Sequence, residues 1–237
     1  ITCTLELGGK SPQIVFADAD LDAAIPVIVK AIIQNSGQTC SAGSRLLVER
    51  SAYDTVVARL AVAFADVRVG APAADRACGP IITAKQQARV QQFIDRARAD
   101  GIPVLAEGRI DPDADPAGFY VAPTLFGPVP RDNDLAREEV FGPVLAVLPF
   151  DDEADALALA NGTDYGLVAA IWTRDGARQL RLGRKVRTGQ LFVNCYGAGA
   201  GIELPFGGTG KSGHGREKGF AAMHDFSITK TIVIHHG

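Results

Sequence analysis

The chain has 237 residues, of which 47% are hydrophobic and 22% charged, and its formal net charge at pH 7 is −3. This composition is typical of one globular domain with a full core and excludes a disordered chain. The slightly acidic balance gives no electrostatic reason to expect nucleic acid or an anionic membrane as a partner. No apolar run reaches the roughly 18 residues that a membrane span needs, and we expect no secretory signal among these residues.

The pattern of apolar residues, caps and breakers predicts alternating strands and helices. Pro26 is expected to kink the first helix or to delay its start, Ser51 to cap the second helix and Thr83 to cap the third. Alternation of this kind predicts an α/β fold, with a largely parallel sheet and helices on both faces. In chain order, the predicted elements are strand 1–7, strand 13–16, helix 20–34, strand 45–49, helix 52–67, helix 83–100, strand 102–106, strand 120–126, strand 144–150, helix 152–160, strand 168–173, helix 176–187, strand 190–194, helix 217–223 and strand 228–235.

The last predicted strand, 228–235, stands apart from the others, beyond a Gly-rich return over 197–215. It ends in polar residues, and it suits an edge strand that pairs with something other than the main sheet. We therefore expect this segment to mediate contact with another subunit.

The cysteines and the acidic runs give no sign of a metal site. The four cysteines show neither a CxxC pair nor metal-ligand spacing, so they are expected to be free thiols in a reducing, cytoplasmic compartment. The run 111–116 carries three aspartates, but it lacks the distal Glu of a calcium loop. The four cysteines are Cys3, Cys40, Cys78 and Cys195.

Cys40 lies in a loop of small and polar residues, 34–45, between a predicted helix and a predicted strand. A structural cysteine is usually surrounded by Leu, Val and Ile, whereas Cys40 has Thr39 and Ser41 as neighbours. A partly exposed thiol in such a loop can ionise and attack carbon. Because the helix ends rather than begins at this loop, local backbone N–H groups would have to stabilise a thiolate.

Glu6 is a carboxylate between two leucines, and two glycines follow them directly. An apolar setting raises a carboxyl pKa toward neutrality, which suits a general base. The alternative is a strand residue whose side chain faces solvent, and the residues alone do not decide between the two.

Together these stretches resemble the aldehyde dehydrogenase superfamily, in which LELGGKSP (5–12) carries a general-base Glu and GQxCxAGSR (37–45) a nucleophilic Cys. The resemblance extends over essentially the whole chain, with the motifs in the family's order. It includes EEVFGPV at 138–144, NGTDYGL at 161–167, LPFGG at 204–208 and SGHGRE at 212–217.

The resemblance implies the catalytic roles. Cys40 would attack the aldehyde to give a thiohemiacetal, and its own N–H would be one donor to the oxyanion. Glu6 would activate the water that hydrolyses the resulting thioester. Glu217 matches a residue on the family's proton-relay route, although a charge at the start of a short helix is the alternative.

The resemblance also implies cofactor and substrate contacts. Glu139 would accept hydrogen bonds from the nicotinamide ribose of NAD or NADP, and Phe141 would pack against the nicotinamide. Leu7 and Gly8 would line the same pocket. The aldehyde tunnel would have Phe206 as an aromatic wall and Tyr196 as another; for Phe206 and Phe141 the alternative is core packing.

The family's cofactor domain would precede these motifs, so the chain resembles only the C-terminal, catalytic half. On this hypothesis residues 1–10 are the exit from the cofactor domain, 11–211 form the catalytic domain, and 212–237 return to an oligomerisation strand. We expect a catalytic portion of an NAD(P)-dependent aldehyde dehydrogenase that forms a homo-oligomer but has little dehydrogenase activity by itself. A cofactor-independent thiol esterase and a non-catalytic assembly fragment are the alternatives, and the sequence identifies neither the aldehyde nor NAD over NADP.

Overall fold

The computed structural model describes residues 3–197 and 201–237. Short 3-10 turns also occur, one of them over Gln34–Gly37 directly before the Cys40 loop. The helices are α1 (Leu21–Ile33), α2 (Tyr53–Ala65), α3 (Ala84–Ala99), α4 (Asp134–Arg137), α5 (Glu153–Ala160), α6 (Gly176–Lys185) and α7 (Gly219–Asp225). The strands are β1 (Leu5–Glu6), β2 (Pro12–Val15), β3 (Arg45–Glu49), β4 (Arg68–Val69), β5 (Val104–Glu107), β6 (Arg109–Ile110), β7 (Thr124–Phe126), β8 (Val144–Phe150), β9 (Tyr165–Gly166), β10 (Val168–Trp172), β11 (Gln190–Val193), β12 (Thr209–Gly210) and β13 (Gly213–His214).

A seven-stranded sheet organises the fold, in the order β11-β10-β2-β3-β8-β7-β5. All neighbours are parallel except β5, which runs antiparallel to β7. The predicted α/β fold with a largely parallel sheet is thus confirmed. Since β2, β3 and β8 are adjacent and parallel, the segments that enter them lie side by side, and these segments carry the residues around Glu6, Cys40 and Glu139.

Two hydrophobic cores cover the two faces of the sheet, because side chains along each strand alternate between the faces. On β3, Leu46 and Val48 belong to the core under α1 and α2, whereas Leu47 points to the opposite core. That second core is closed by α3, α5 and α6, with Phe93 of α3 packed into it. The prediction of helices on both faces is therefore confirmed.

The boundaries of several predicted elements differ from the structure. The strand predicted over 1–7 is, within the described residues, only the two-residue β1, which pairs with β13. Ser51 does not cap α2, since a 3-10 turn over Arg50–Ala52 precedes the helix and Ala52 makes no side-chain capping bond. Pro26 does not delay α1, which begins at Leu21 behind an Asp20 cap. Pro26 is the sixth residue of α1, beyond the first turn whose N–H groups lack an intrahelical acceptor, and the helix accommodates it and continues to Ile33.

The strand predicted over 228–235 is absent: residues 227–237 have no regular secondary structure and are exposed. A strand requires hydrogen bonds to a neighbouring strand, and no strand among residues 3–197 and 201–237 pairs with the segment. Its apolar side chains, among them Ile228 and Val233, are largely solvent-exposed. Within the part of the chain that the structure describes, no helix has the length and apolar character to cross a membrane.

Candidate active site

The Cys40 loop forms between the end of α1 and the start of β3. Asn35 and Ser36 adopt left-handed backbone conformations, which end the helical path. The Ala42 N–H then donates to the Thr39 carbonyl at 2.9 Å, so that residues 39–42 form a turn with Cys40 in its centre. Cys40 is half-buried, as expected for an accessible thiol.

Several groups act on the ionisation of Cys40. Burial raises the pKa of the thiol, and the negative charges of Glu139 and Glu6 raise it further. The N–H groups of Ser41 and of Cys40 itself favour the thiolate and lower the pKa. The local N–H groups act in the expected direction, but burial outweighs them, and the pKa of the thiol lies above its ordinary value.

Glu6 ends β1, and its carboxylate points into the structure rather than into solvent. Both carboxylate oxygens are buried and make no hydrogen bond within the described residues. Burial and the nearby Glu217 raise the pKa of Glu6, while Arg216 acts against them. The predicted upward shift of this pKa is confirmed in direction, and the open acceptors leave room for a water molecule to donate.

Glu139 is held against the two glycines that follow the Glu6 segment. The Gly9 N–H donates to Oε1 of Glu139 at 2.9 Å. A Cβ on Gly8 would lie 3.0 Å from the Glu139 carboxyl carbon, and one on Gly9 would overlap the Cys40 carbonyl. Both glycines are therefore needed for the close approach of the Glu6, Cys40 and Glu139 segments.

Phe141 and Leu7 border this arrangement. Phe141 is half-buried with a positive φ of 58°, and its carbonyl accepts a hydrogen bond from Nε2 of Gln86 at 2.8 Å. Leu7 is 46% exposed, and its N–H donates to the Ser212 carbonyl. An exposed apolar side chain beside Gly8 is available to a ligand, so the predicted cofactor contacts of these residues remain consistent with their positions.

Phe206 and Glu217 are joined by their backbones, each N–H donating to the other's carbonyl at 2.6 Å. Both residues lie near Glu6, because Gly207, which follows Phe206, packs against it. A Cβ on Gly207 would lie 2.9 Å from Oε1 of Glu6. Phe206 is half-buried and Glu217 is exposed. The negative charge of Glu217 raises the pKa of Glu6, although the described residues show no hydrogen bond between the two carboxylates.

Tyr196 lies behind the Cys40 loop. Its hydroxyl donates to the Ser41 carbonyl, and its ring packs 6.0 Å from that of Phe192. Burial raises the pKa of this hydroxyl strongly. Its proposed place in an aldehyde tunnel stays a prediction.

Two buried cations were not assigned from the sequence. Lys10 is 1% exposed, its Nζ makes no hydrogen bond within the described residues, and burial lowers its pKa to about 7. Arg45 is 3% exposed and donates to the carbonyls of Lys10, Leu159 and Ala160 at 2.8 to 3.0 Å. Lys10 could have been noticed as a charge inserted between Gly-Gly and Ser-Pro, whereas the partners of Arg45 are too distant in sequence to be foreseen.

From the sequence, neither the cysteines nor the aspartates at 111–116 are expected to form a metal site. Asp111 is buried and forms ion pairs with Arg68 and Arg76, which fasten the segment around β4 and β6. Across residues 3–197 and 201–237, no group of three or more His, Cys, Asp or Glu side chains is placed to hold a metal ion.

The site therefore joins one thiol and two carboxylates of raised pKa at the entry to adjacent parallel strands. A thiol attacks carbonyl carbon, and a carboxyl of raised pKa can accept a proton, so the arrangement has the groups that covalent catalysis on an α/β scaffold requires.

Comparison with known proteins agrees with that class. The sequence profile of the aldehyde dehydrogenase family matches residues 1–232, and the chain belongs to the aldehyde dehydrogenase family. A betaine aldehyde dehydrogenase of Sinorhizobium fredii is 39% identical over 235 residues, which are 99% of this chain and 48% of that protein. The chain thus spans about half the length of the curated relatives it matches.

Solved structures show the same fold. A Burkholderia cenocepacia structure assigned to the aldehyde dehydrogenases superimposes with a TM-score of 0.96 at 65% identity, over 99% of this chain and 49% of that one. A betaine aldehyde dehydrogenase of Staphylococcus aureus, solved in complex with NAD+, gives 0.89 at 33% identity, over 94% of this chain and 44% of that one.

Proposed function

We propose that the chain carries the thiol chemistry of an aldehyde dehydrogenase, with Cys40 as nucleophile and Glu6 as general base. The observation that supports this most is the close packing of Glu139 and Cys40 on Gly8 and Gly9, together with the negative charge of Glu6 that acts on the Cys40 thiol. The parent reaction would convert an aldehyde, NAD(P)+ and water into a carboxylate and NAD(P)H.

The Cys40 thiolate would add to the aldehyde carbon, forming the C–S bond of a thiohemiacetal and placing negative charge on the former carbonyl oxygen. The Cys40 N–H would donate to that oxygen. Bound NAD(P) would supply the hydride acceptor that makes the oxidation to a thioester possible. Glu6 would then take a proton from water as the water oxygen attacks the thioester; the C–S bond breaks and the thiol is restored.

The residues around Glu139 fit a cofactor ribose. A carboxylate accepts only, and one of its oxygens already takes the Gly9 N–H, which fixes its orientation. The other oxygen, Oε2, is the one to which a sugar hydroxyl could donate. Phe141 and Leu7 would offer apolar surface to the nicotinamide, Phe206 would line the aldehyde path, and Glu217 would relay the proton that Glu6 accepts.

We propose a catalytic unit over 11–211, flanked by residues 1–10 from a cofactor domain and by residues 212–237. Without that cofactor domain the purified 237-residue chain is expected to produce little NADH with any aldehyde. Steady NADH production that disappears in Cys40→Ala would overturn the expected inactivity and support the catalytic roles.

A cofactor-free reaction tests the nucleophile directly, because Cys40 and Glu6 are both in this chain. p-Nitrophenyl acetate should give a burst of nitrophenolate and an acetylated Cys40 that mass spectrometry can locate. Cys40→Ala should abolish the burst, whereas Glu6→Gln should retain it and slow release of acetate by roughly 10²- to 10⁴-fold. A burst that survives in Cys40→Ala would show that another group is the nucleophile.

We also propose that residues 228–235 pair with a second copy of the chain. Four apolar side chains of this segment, Ile228, Ile232, Val233 and Ile234, are largely exposed, and this exposure supports the proposal, since contact with a second copy would cover them. Light scattering should show an oligomer for the whole chain and a monomer after removal of residues 226–237. A monomer in both cases would contradict it.

A further inference from the structure

The loop after β11 brings Tyr196 against the nucleophile loop. Asn194 has a positive φ of 54°, and its side chain is fastened on both sides of Thr173: Nδ2 donates to the Thr173 carbonyl and Oδ1 accepts from the Thr173 N–H, both at 3.0 Å. The chain therefore leaves the sheet along a fixed path. Two residues later the Tyr196 hydroxyl donates to the Ser41 carbonyl at 2.5 Å.

Ser41 is the third residue of the 39–42 turn, and the orientation of its N–H affects the ionisation of the Cys40 thiol. The peptide between Cys40 and Ser41 is the central peptide of this turn, and central peptides of turns can rotate between two orientations. In the observed orientation the Ser41 N–H favours the thiolate of Cys40. Rotation would direct that N–H away from the sulfur.

The central peptide is restrained on both sides. Its own carbonyl, that of Cys40, packs against Gly9, where a side chain would overlap it. The next carbonyl, that of Ser41, takes the hydroxyl hydrogen of Tyr196, and Ser41 is only 5% exposed. If the Tyr196 hydroxyl were removed, the buried Ser41 carbonyl would lose its hydrogen-bond donor. An unpaired buried carbonyl is costly, so the backbone of the turn would be expected to rotate toward another donor.

We propose that Tyr196 is a positioning residue for Cys40: its hydroxyl, bonded to the Ser41 carbonyl, holds the 39–42 turn that carries Cys40 in the observed conformation. This inference rests on the proposed role of Cys40 as nucleophile. It assigns Tyr196 a part in thiol reactivity without contact between Tyr196 and the aldehyde. Besides the Tyr196 hydroxyl, the titratable groups that act on the sulfur are Glu139 and Glu6, and both remain in every variant below.

The test is the pH profile of Cys40 alkylation by iodoacetamide, followed by peptide mass spectrometry from pH 6 to 10. Peptide resolution is needed because Cys3 and Cys195 are exposed and will also react. In Tyr196→Phe the midpoint of the Cys40 profile should move up by roughly one pH unit, with about tenfold slower alkylation near neutral pH, as expected for one lost hydrogen bond to a charged group.

Phe192→Leu is the matched control, because it disturbs the packing of the Tyr196 ring and leaves the hydroxyl in place. It should lower the melting temperature without moving the alkylation midpoint. Asn194→Gly keeps the positive φ, removes the two bonds to Thr173, and should move the midpoint in the same direction as Tyr196→Phe. This second variant covers the case that Tyr196→Phe does not fold.

A folded Tyr196→Phe with an unchanged Cys40 profile would overturn the inference and leave Cys40 as the nucleophile. A shift of equal size in Phe192→Leu would also overturn it, because packing alone would then explain the effect. If Cys40 of the unmodified chain reacts no faster than Cys3 and Cys195 at any pH and gives no ester burst, the proposed nucleophile itself is wrong.

Discussion

Replacing Lys10 by Met should stabilise the chain at neutral and acidic pH. Lys10 is fully enclosed, and its Nζ has no hydrogen-bond partner among the described residues. Burial is the main cause that lowers its pKa, the charge of Arg45 adds to it, and Glu139 and Glu138 act in the opposite direction. An ammonium group in this position opposes folding whenever it is charged.

The magnitude follows from the difference between the two pKa values. The pKa of Lys10 falls from 10.5 to about 7, and each unit corresponds to about 1.4 kcal/mol. Below pH 7 both folded and unfolded chains carry the proton, so the full cost of about 5 kcal/mol applies. Between pH 7 and 10.5 the unfolded chain binds more protons than the folded one, and stability rises with pH as the cost disappears. Met has a similar length and no charge, and it should remove this cost.

Urea unfolding at a series of pH values measures the effect. Lys10→Met should raise the free energy of unfolding by up to about 5 kcal/mol at pH 6, by about 3 kcal/mol at pH 8.5 and by little at pH 10.5. Lys85→Met is the control, since Lys85 is exposed on α3 and should show no such pH dependence. A gain that is absent at pH 6, or that does not shrink as the pH rises, would refute the assignment of a buried, destabilising ammonium.

Other substitutions test the close approach and the buried charges. Gly9→Ala should slow Cys40 alkylation and cost roughly 1–3 kcal/mol of stability in urea unfolding, because its Cβ would overlap the Cys40 carbonyl, whereas Gly176→Ala, with no neighbour within 4 Å, should be neutral or slightly stabilising. Arg45→Met should cost roughly 3–5 kcal/mol in the same assay, since it leaves three carbonyls without their donor; a cost below 1 kcal/mol would contradict this. Glu6→Gln should lower the pKa of Cys40 by removing a nearby negative charge, and the midpoint of the alkylation profile should move to lower pH. An unchanged midpoint would show that the charge of Glu6 does not act on the Cys40 thiol.

The sheet could be predicted from the sequence because its signal is local. The predicted strand 13–16 differs by one residue at each end from β2, and the predicted 45–49 coincides with β3, since apolar runs bounded by breakers determine both. The segment 228–235 has the same local signal, but a strand depends on a partner that no local pattern reveals. The antiparallel pairing of β5 with β7 was missed for the same reason.

The candidate catalytic residues could be proposed from their motifs, but their surroundings could not be predicted. The burial of Arg45 depends on carbonyls that lie 35, 114 and 115 residues away in sequence. Lys10 belongs to the LELGGKSP motif, from which Glu6 was proposed as a general base. Only the packed structure shows that the Lys10 amine is buried. The bond between Tyr196 and Ser41 spans 155 residues. From the sequence, Tyr196 was interpreted as an aromatic wall of the aldehyde tunnel. In the fold, its hydroxyl also donates to a carbonyl of the loop that carries Cys40.

The segment from Glu6 to Gln13 concentrates buried polar atoms without partners. Within the described residues, five of the nine such atoms belong to Glu6, Lys10, Ser11 and Gln13. A buried polar group that lacks a hydrogen-bond partner costs on the order of 1–3 kcal/mol. A stretch used only for packing could replace these side chains by apolar ones and gain stability. The position of these groups beside Cys40 and Glu139 supports the chemical role that we propose for this segment.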